Sequence, residues 1–231
     1  MSYQYSYLLM DLGFLIVWIA LFILRKDTRK VMLFTSIPLG ILGLFFNFLY
    51  IRDWWMPLTI TGTIPAIEDF LYGFVIGGIS AAIYEEIFKK KIIVKRESAQ
   101  TDRNKLFHFW GAGIISVVAF YSMYYLLNIK TFYVTNIILI IIVLTLCIVR
   151  KDLIPHVIGS GVSLLIVAFA VHSIINIITP GWIEAFYYFN SVPKLIVLNV
   201  PLEDIIFYLL FGAAVGPLYE YWREGKLIKA R

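Results

Sequence analysis

The sequence predicts an all-α membrane protein whose seven transmembrane helices form two parallel three-helix repeats joined by a linking helix. Three observations carry this. Of the 231 residues, 61% are hydrophobic and 17% aromatic, with a mean hydropathy of +0.84, more apolar material than a soluble core of this size can hide. The apolar residues fall into seven runs, at about 5–24, 31–51, 67–88, 106–127, 135–149, 156–178 and 202–222. Polar residues inside those runs recur at fixed offsets.

The first run is about twenty residues long, enough at 1.5 Å per residue to cross a hydrocarbon core of roughly 30 Å. It stops at Arg25-Lys26-Asp27-Thr28-Arg29-Lys30. With no basic residue before it and no small-residue cleavage site after it, a cleaved signal peptide is not expected. The second run leads into Trp54 and Trp55, and the third opens at Pro65-Ala-Ile-Glu68-Asp69-Phe70. The fourth follows a basic stretch, the fifth is the shortest, and the sixth follows Arg150-Lys151. The seventh opens at Pro201-Leu-Glu203-Asp204, repeating the acids of the third.

Seven spans sort the charges. Arg25, Lys26, Arg29 and Lys30, then Lys89, Lys90, Lys91, Lys95, Arg96, Arg103 and Lys105, then Arg150 and Lys151, then Arg223, Lys226, Lys229 and Arg231 fall on one side; only Arg52, Lys130 and Lys194 fall on the other. The positive-inside rule then puts the N-terminus outside and the C-terminus in the cytoplasm of a cell-membrane protein. The net charge of +5 does not imply nucleic acid, because the cations sit in clusters between apolar runs. The one cysteine, Cys147, forms no intrachain disulfide, and neither metal-ligand spacing nor a G-x-G-x-x-G or Walker pattern is present.

At an offset of 125, Leu21 to Asp27 matches Leu146 to Asp152, Asp11 falls on Asn136 and Asn47 on His172. At 135, Glu68 meets Glu203, Asp69 meets Asp204, Gly77 meets Gly212, and Tyr84-Glu85 meets Tyr219-Glu220. The expected division is a first repeat over 1–105 with its basic loop, a linking helix over 106–130 and a second repeat over 131–231. An odd linking helix restores the starting side, so the repeats run parallel.

Both acid pairs start helices on the same side, and the repeat axis brings them towards one shared site. Asp11, Asn47, Asn136, His172 and Asn176 are expected in a polar layer at that depth. Ionisable residues inside a membrane are functional by default; against this, carboxylates after a proline are also good helix caps. Neighbours on a helix diverge by about 100°, and Glu68 and Glu203 are taken as inward, with Asp69 and Asp204 supporting. Glu85 and Glu86, four residues before Lys89 and Lys90, read as surface ion pairs, and Glu220 has Arg223 nearby. His172 is open between a structural and a functional role. His108 and His156 read as interfacial, Trp54, Trp55 and Trp182 as an aromatic belt, and Gly77, Gly78 and Gly212 as sites of close helix packing.

Tyr7-Leu-Leu-Met-Asp11-Leu with its Arg25-Lys26 stop, the Pro-x-x-Glu-Asp-Phe and Pro-x-Glu-Asp helix starts and the three-helix duplication resemble the lycopene cyclase domain of heterodimeric bacterial and fused fungal carotenoid cyclases. The likeness covers nearly the whole chain, with both halves in one polypeptide, and the family also resembles microbial rhodopsins in its three-plus-one-plus-three plan. The family's Pro-x-Glu-Glu motifs imply acid chemistry at Glu68 and Glu203; here Asp69 and Asp204 stand as the second acids, and Pro65 lies one residue further away.

The resemblance implies an apolar, lycopene-like isoprenoid substrate taken from the lipid bilayer, no cofactor, and cyclisation of a polyene end group without net redox change. Such chemistry needs a protonated carboxylic acid and a final base. It also needs aromatic faces for the cation, with Trp54, Trp55, Phe70, Tyr72 and Phe207 as candidates. A non-enzymatic isoprenoid-binding protein or a transporter would share the architecture. Sugar carriers with parallel repeats carry Pro-Gln motifs, absent here; a retinal protein needs a lysine in the seventh run, and 202–222 has none; membrane prenyltransferases need an aspartate-rich diphosphate motif, also absent.

Overall fold

The computed structural model describes residues 3–94, 99–189 and 194–229; Lys95, Arg96 and Arg231, counted in the charge sorting, lie outside them. Among the described residues seven segments are long and apolar enough to cross a membrane: Tyr3–Leu24, Arg29–Asp53, Ile67–Ile87, Trp110–Leu127, Thr131–Val149, Lys151–Ile178 and Leu202–Arg223. The helices are α1 (Ser6–Leu24), α2 (Arg29–Asp53), α3 (Ile67–Ile87), α4 (Ala99–Leu127), which begins ahead of its span, α5 (Thr131–Val149) and α6 (Ile154–Ile178). A short α7 (Trp182–Phe186) follows, then α8 (Leu202–Val215) and α9 (Leu218–Arg223).

Two departures from the expected runs have local causes. The fifth helix begins at Thr131, because Asp53 at the end of α2 accepts hydrogen bonds from the Thr131 amide (3.1 Å) and hydroxyl, capping another helix's first turn. The seventh span breaks into α8 and α9 at Gly216-Pro217, where proline has no N–H to continue the ladder.

The tightest packing in each half is α2 on α3 and α6 on α8. In lipid, helices associate by close van der Waals approach, which small residues permit. A Cβ on Gly43 would run into the Asp69 carbonyl, one on Gly161 would sit 2.6 Å from the Leu209 carbonyl, and one on Gly212 2.7 Å from that of Ser160. Gly77 lies under Leu39, and Gly78 makes room for the hydrogen bond from Trp18 to Ser36 (3.0 Å), as close packing requires. The halves meet where α1, α3, α6 and α8 contact one another. The outlying α4 touches the bundle through Phe120, packed with Leu49 and Val134, and through Tyr121, whose hydroxyl donates to the Phe45 carbonyl at 2.8 Å.

At the basic end, β1 (Lys90–Ile93) pairs antiparallel with β4 (Lys226–Lys229). Arg25 grips Asp27 through two hydrogen bonds (3.0 and 2.9 Å) and donates to the Lys90 carbonyl (2.6 Å). Arg150 repeats this with Asp152 (2.8 and 2.7 Å) and the Gly225 carbonyl (2.9 Å). The duplicated Arg-Lys-Asp is thus a pair of brackets tying helix ends to the closing ribbon. Hydrogen bonding to Arg25 holds the Asp27 carboxyl below its usual range.

At the acid end a second small ribbon, β2 (Ile196–Val197) with β3 (Val200–Pro201), precedes α8. Trp54, Trp55 and Trp182, expected in an exposed belt, are buried instead. The segment after α2 is stitched to the α7 region by Met56 N–H to the Phe186 carbonyl (2.7 Å) and Tyr188 N–H to the Trp54 carbonyl (3.0 Å), which turns the indoles inward.

Candidate functional site

Both acid pairs are buried in the first turns of α3 and α8. A cavity of about 40 Å³ opens between them, walled by Tyr7, Gly43, Asn47, Tyr50, Trp54, Trp55, Asp69, Tyr72, Tyr187, Asp204 and Phe207. One acid from each pair faces it, and the choice reverses the expectation: Asp69 and Asp204 line the wall. Glu68 turns to the preceding loop, where Oε1 accepts from the Ile60 amide at 2.7 Å. Glu203 is buried beside Asp204 and Tyr187.

The reversal has a local cause in α3. Asp69 stands three residues past the N-cap Ala66, and its Oδ2 reaches back to accept the Ala66 amide at 2.7 Å. That fixes the carboxyl so that Oδ1 points inward and accepts from the Tyr7 hydroxyl at 3.0 Å. Capping and cavity lining therefore belong to one carboxyl, one oxygen each.

Asp204 is held differently. Its Oδ2 accepts from the Tyr187 hydroxyl at 2.5 Å. Burial first, and the Asp204 carboxyl second, push the Tyr187 hydroxyl well above its usual range, which keeps it a donor. His172 Nε2 lies 3.8 Å from Asp204 Oδ2 and 3.1 Å from the Tyr208 hydroxyl. Tyr72 donates to that hydroxyl at 2.8 Å, which leaves the Tyr208 O–H free to donate to Nε2 when that nitrogen is unprotonated. The chain Tyr72–Tyr208–His172 joins α3, α8 and α6 across the two halves.

The other expected site residues divide. Asn47 lines the cavity with neither amide atom in a hydrogen bond. Asp11 is fully buried behind it, near Asp69 and Glu68, with both oxygens unpartnered. Asn136 is buried but donates to its own helix, to the Phe132 carbonyl at 2.7 Å, away from the cavity. Phe70 is not at the cavity either: it stacks on Phe74 and packs against Gly40 between α2 and α3. Asn176 is half-buried and donates to Asn199. Trp54 meets Phe207 edge-on at 5.6 Å, Trp55 meets Tyr7 edge-on at 4.8 Å, and Trp182 lies against His172.

Sequence reasoning missed Tyr187, Tyr50, Tyr208 and the role of Tyr7. Tyr7 and Tyr208 each lie on an acid-bearing or neighbouring helix, one or two turns from a recognised residue, and helical spacing could have found them. Tyr187 sits in a connection with no periodic signal.

At the basic end three expectations are corrected. Glu85, Glu220 and His156, read as surface or interfacial, are all fully buried. Glu85 lies on the inner face of α3, and the ribbon and α9 cover the helix ends. Glu86 alone makes the surface pairs, with Lys89 at 2.5 Å and Arg25 at 3.6 Å. His108 is exposed, as expected of an interfacial residue.

Seven helices of membrane-spanning length, with a small buried chamber of acids and aromatic rings at one end, define an all-α polytopic membrane protein. The family model described as lycopene cyclase matches residues 4–87 and 130–222, and the chain belongs to that family. No curated protein and no solved structure matches it.

Proposed function

We propose that this protein cyclises the end group of a lycopene-like carotenoid by acid-initiated carbocation chemistry, without cofactor or net redox change. The observation that carries the reading is the facing pair Asp69 and Asp204, one from each half, buried in an aromatic chamber and each fixed by a tyrosine hydroxyl.

A carboxyl proton goes to the terminal double bond, leaving a tertiary cation; the π electrons of a second double bond in the same chain attack it and close a six-membered ring. The displaced cation loses a proton to a carboxylate, so product and substrate are isomers. Burial among other acids, without an adjacent cation, is the setting in which a carboxyl keeps its proton. Asp69 and Asp204 are the groups at the reacting carbons. Glu68, Glu203 and Asp11 lie behind them as proton stores, and the Tyr72–Tyr208–His172 chain offers a path between halves. Trp54, Trp55, Tyr72 and Phe207 face the passing cation.

A volume of about 40 Å³ admits water and not a ring, so the end group enters from the bilayer as wall side chains swing aside. In this reading the repeats over 1–105 and 131–231, linked by 106–130, run parallel, and the excess of basic residues at one end supports an orientation with the acid end outside and the basic end in the cytoplasm. The test is expression in cells that accumulate lycopene, with pigments resolved by chromatography. Ring-bearing carotenoids are the expected product; unchanged lycopene beside abundant folded protein refutes the reading.

A further inference from the structure

The geometry points to a second site, at the basic end of the bundle, in which Glu85, His156 and Glu220 together bind one divalent transition-metal ion and staple the two halves. Each residue comes from a different element, α3, α6 and α9, and one ligand atom from each lies within 4.8 Å of the others. Nothing in the acid-end chemistry uses them.

His156 is what makes this more than a pair of acids. Its ring is fully buried, with Nε2 3.7 Å from Glu85 Oε1 and Nδ1 3.8 Å from Glu220 Oε1. Among the described residues neither ring nitrogen has a hydrogen-bond partner, and the Glu85 and Glu220 carboxyls meet no donor other than a proton shared between them. Three buried ligand atoms, one from each residue, gathered this closely are costly unless something binds them. Stacking on Tyr84, with ring centroids 4.4 Å apart, fixes the plane of the imidazole. Ser160, one turn along α6, adds another buried, unpartnered hydroxyl.

Charge selects the ligand. Two carboxylates and a divalent cation sum to zero, which a low-dielectric interior tolerates far better than two bare anions. Arg25 is paired with Asp27 and Glu86, and Arg150 with Asp152, so they act on Glu85 and Glu220 only at longer range and without a direct ion pair. Carboxylate oxygen and imidazole nitrogen suit zinc and its neighbours, with a fourth position left for water. Metal–ligand bonds of about 2.0–2.2 Å require the side chains to close by roughly 1 Å on the ion. Glu85 and Glu220 are repeat partners, whereas the partner of His156 at offset 125 is Val31, so the ion takes three protein ligands and not four.

The test uses the full chain, purified in detergent with an affinity tag other than polyhistidine. Elemental analysis without chelators should find close to one transition-metal equivalent per chain. After dialysis against a chelator, added Co²⁺ should give the visible absorption of a four-coordinate imidazole–carboxylate complex, and added Zn²⁺ should raise the unfolding temperature with one-to-one stoichiometry. Glu220→Gln and His156→Gln should each weaken Zn²⁺ binding at least a hundredfold. Because either variant could fold poorly, the double variant Glu85→Gln with Glu220→Gln is compared as well: it should be monodisperse and insensitive to Zn²⁺. Metal content well below one equivalent, with no Co²⁺ absorption and no Zn²⁺ shift in the wild type, overturns the proposal and leaves a proton-sharing carboxyl pair beside a neutral histidine.

Discussion

Replacing each inward aspartate by asparagine separates chemistry from capping, because the two carboxyls are held by different partners. Asp69 accepts two hydrogen bonds, one per oxygen, from the Ala66 amide and the Tyr7 hydroxyl. Asparagine offers one oxygen and turns an N–H₂ towards a donor, so Asp69→Asn loses one bond and leaves a buried group unsatisfied, a cost of about 1–3 kcal/mol. Asp204 accepts one bond, from Tyr187, and an asparagine oxygen can keep it, so Asp204→Asn should cost under about 1 kcal/mol. Neither amide can donate a carboxyl proton. Both variants should therefore lose about 10²–10⁴ in rate, the usual worth of a general acid or base, or roughly 3–5.5 kcal/mol of barrier. The assay is pigment conversion in a lycopene-accumulating host, normalised to membrane-extracted protein, with apparent unfolding temperatures in detergent measured in parallel. An Asp204→Asn variant that converts pigment like the wild type refutes the role given to Asp204. Equal destabilisation of both variants refutes the distinction between cap and free acid.

Three further outcomes are expected. Glu68→Gln keeps the acceptor for the Ile60 amide, so unfolding should be nearly unmoved and pigment conversion should fall less than about tenfold, below the general-acid range. Asp27, whose carboxyl is held below its usual range by Arg25, adds stability above the unfolded value near pH 4 that is lost as pH falls through the folded one. Unfolding temperatures of wild type and Asp27→Asn should therefore differ at pH 7 and converge on acidification. Trp182→Ala removes a fully buried indole beside His172 and should cost about 3–5 kcal/mol, read as a lowered unfolding temperature with loss of expressed protein.

The seven spans were legible because apolar runs of membrane length carry their own signal, and the repeat because polar residues inside them stand out. The duplicated Arg-Lys-Asp signalled repetition but not its use, since the carbonyls that Arg25 and Arg150 reach lie 65 and 75 residues away. That the duplicated acids come together at one end of the bundle was legible, but which of each pair lines the cavity was not. In α3 that choice rests on the reach of Asp69 to the Ala66 amide, a detail of one helical turn. The buried triad at the basic end was hidden for the opposite reason: Glu85 and Glu86 look alike in sequence, and only the arrival of α6 and α9 buries one and leaves the other with Lys89. The indoles misread as a belt show the same effect, because the α7 segment that covers them is distant in sequence.

The outlying position of α4 bears on how the halves assemble. Among the described residues, the one membrane-length helix wholly outside the matched regions is also the one most loosely held, while the halves grip each other through α1, α3, α6 and α8 and through the Tyr72–Tyr208 bond. Assembly of the chamber should then depend on this interface more than on chain continuity: two pieces divided near Asn128 and coexpressed are expected to copurify, and failure to do so would assign α4 a structural role.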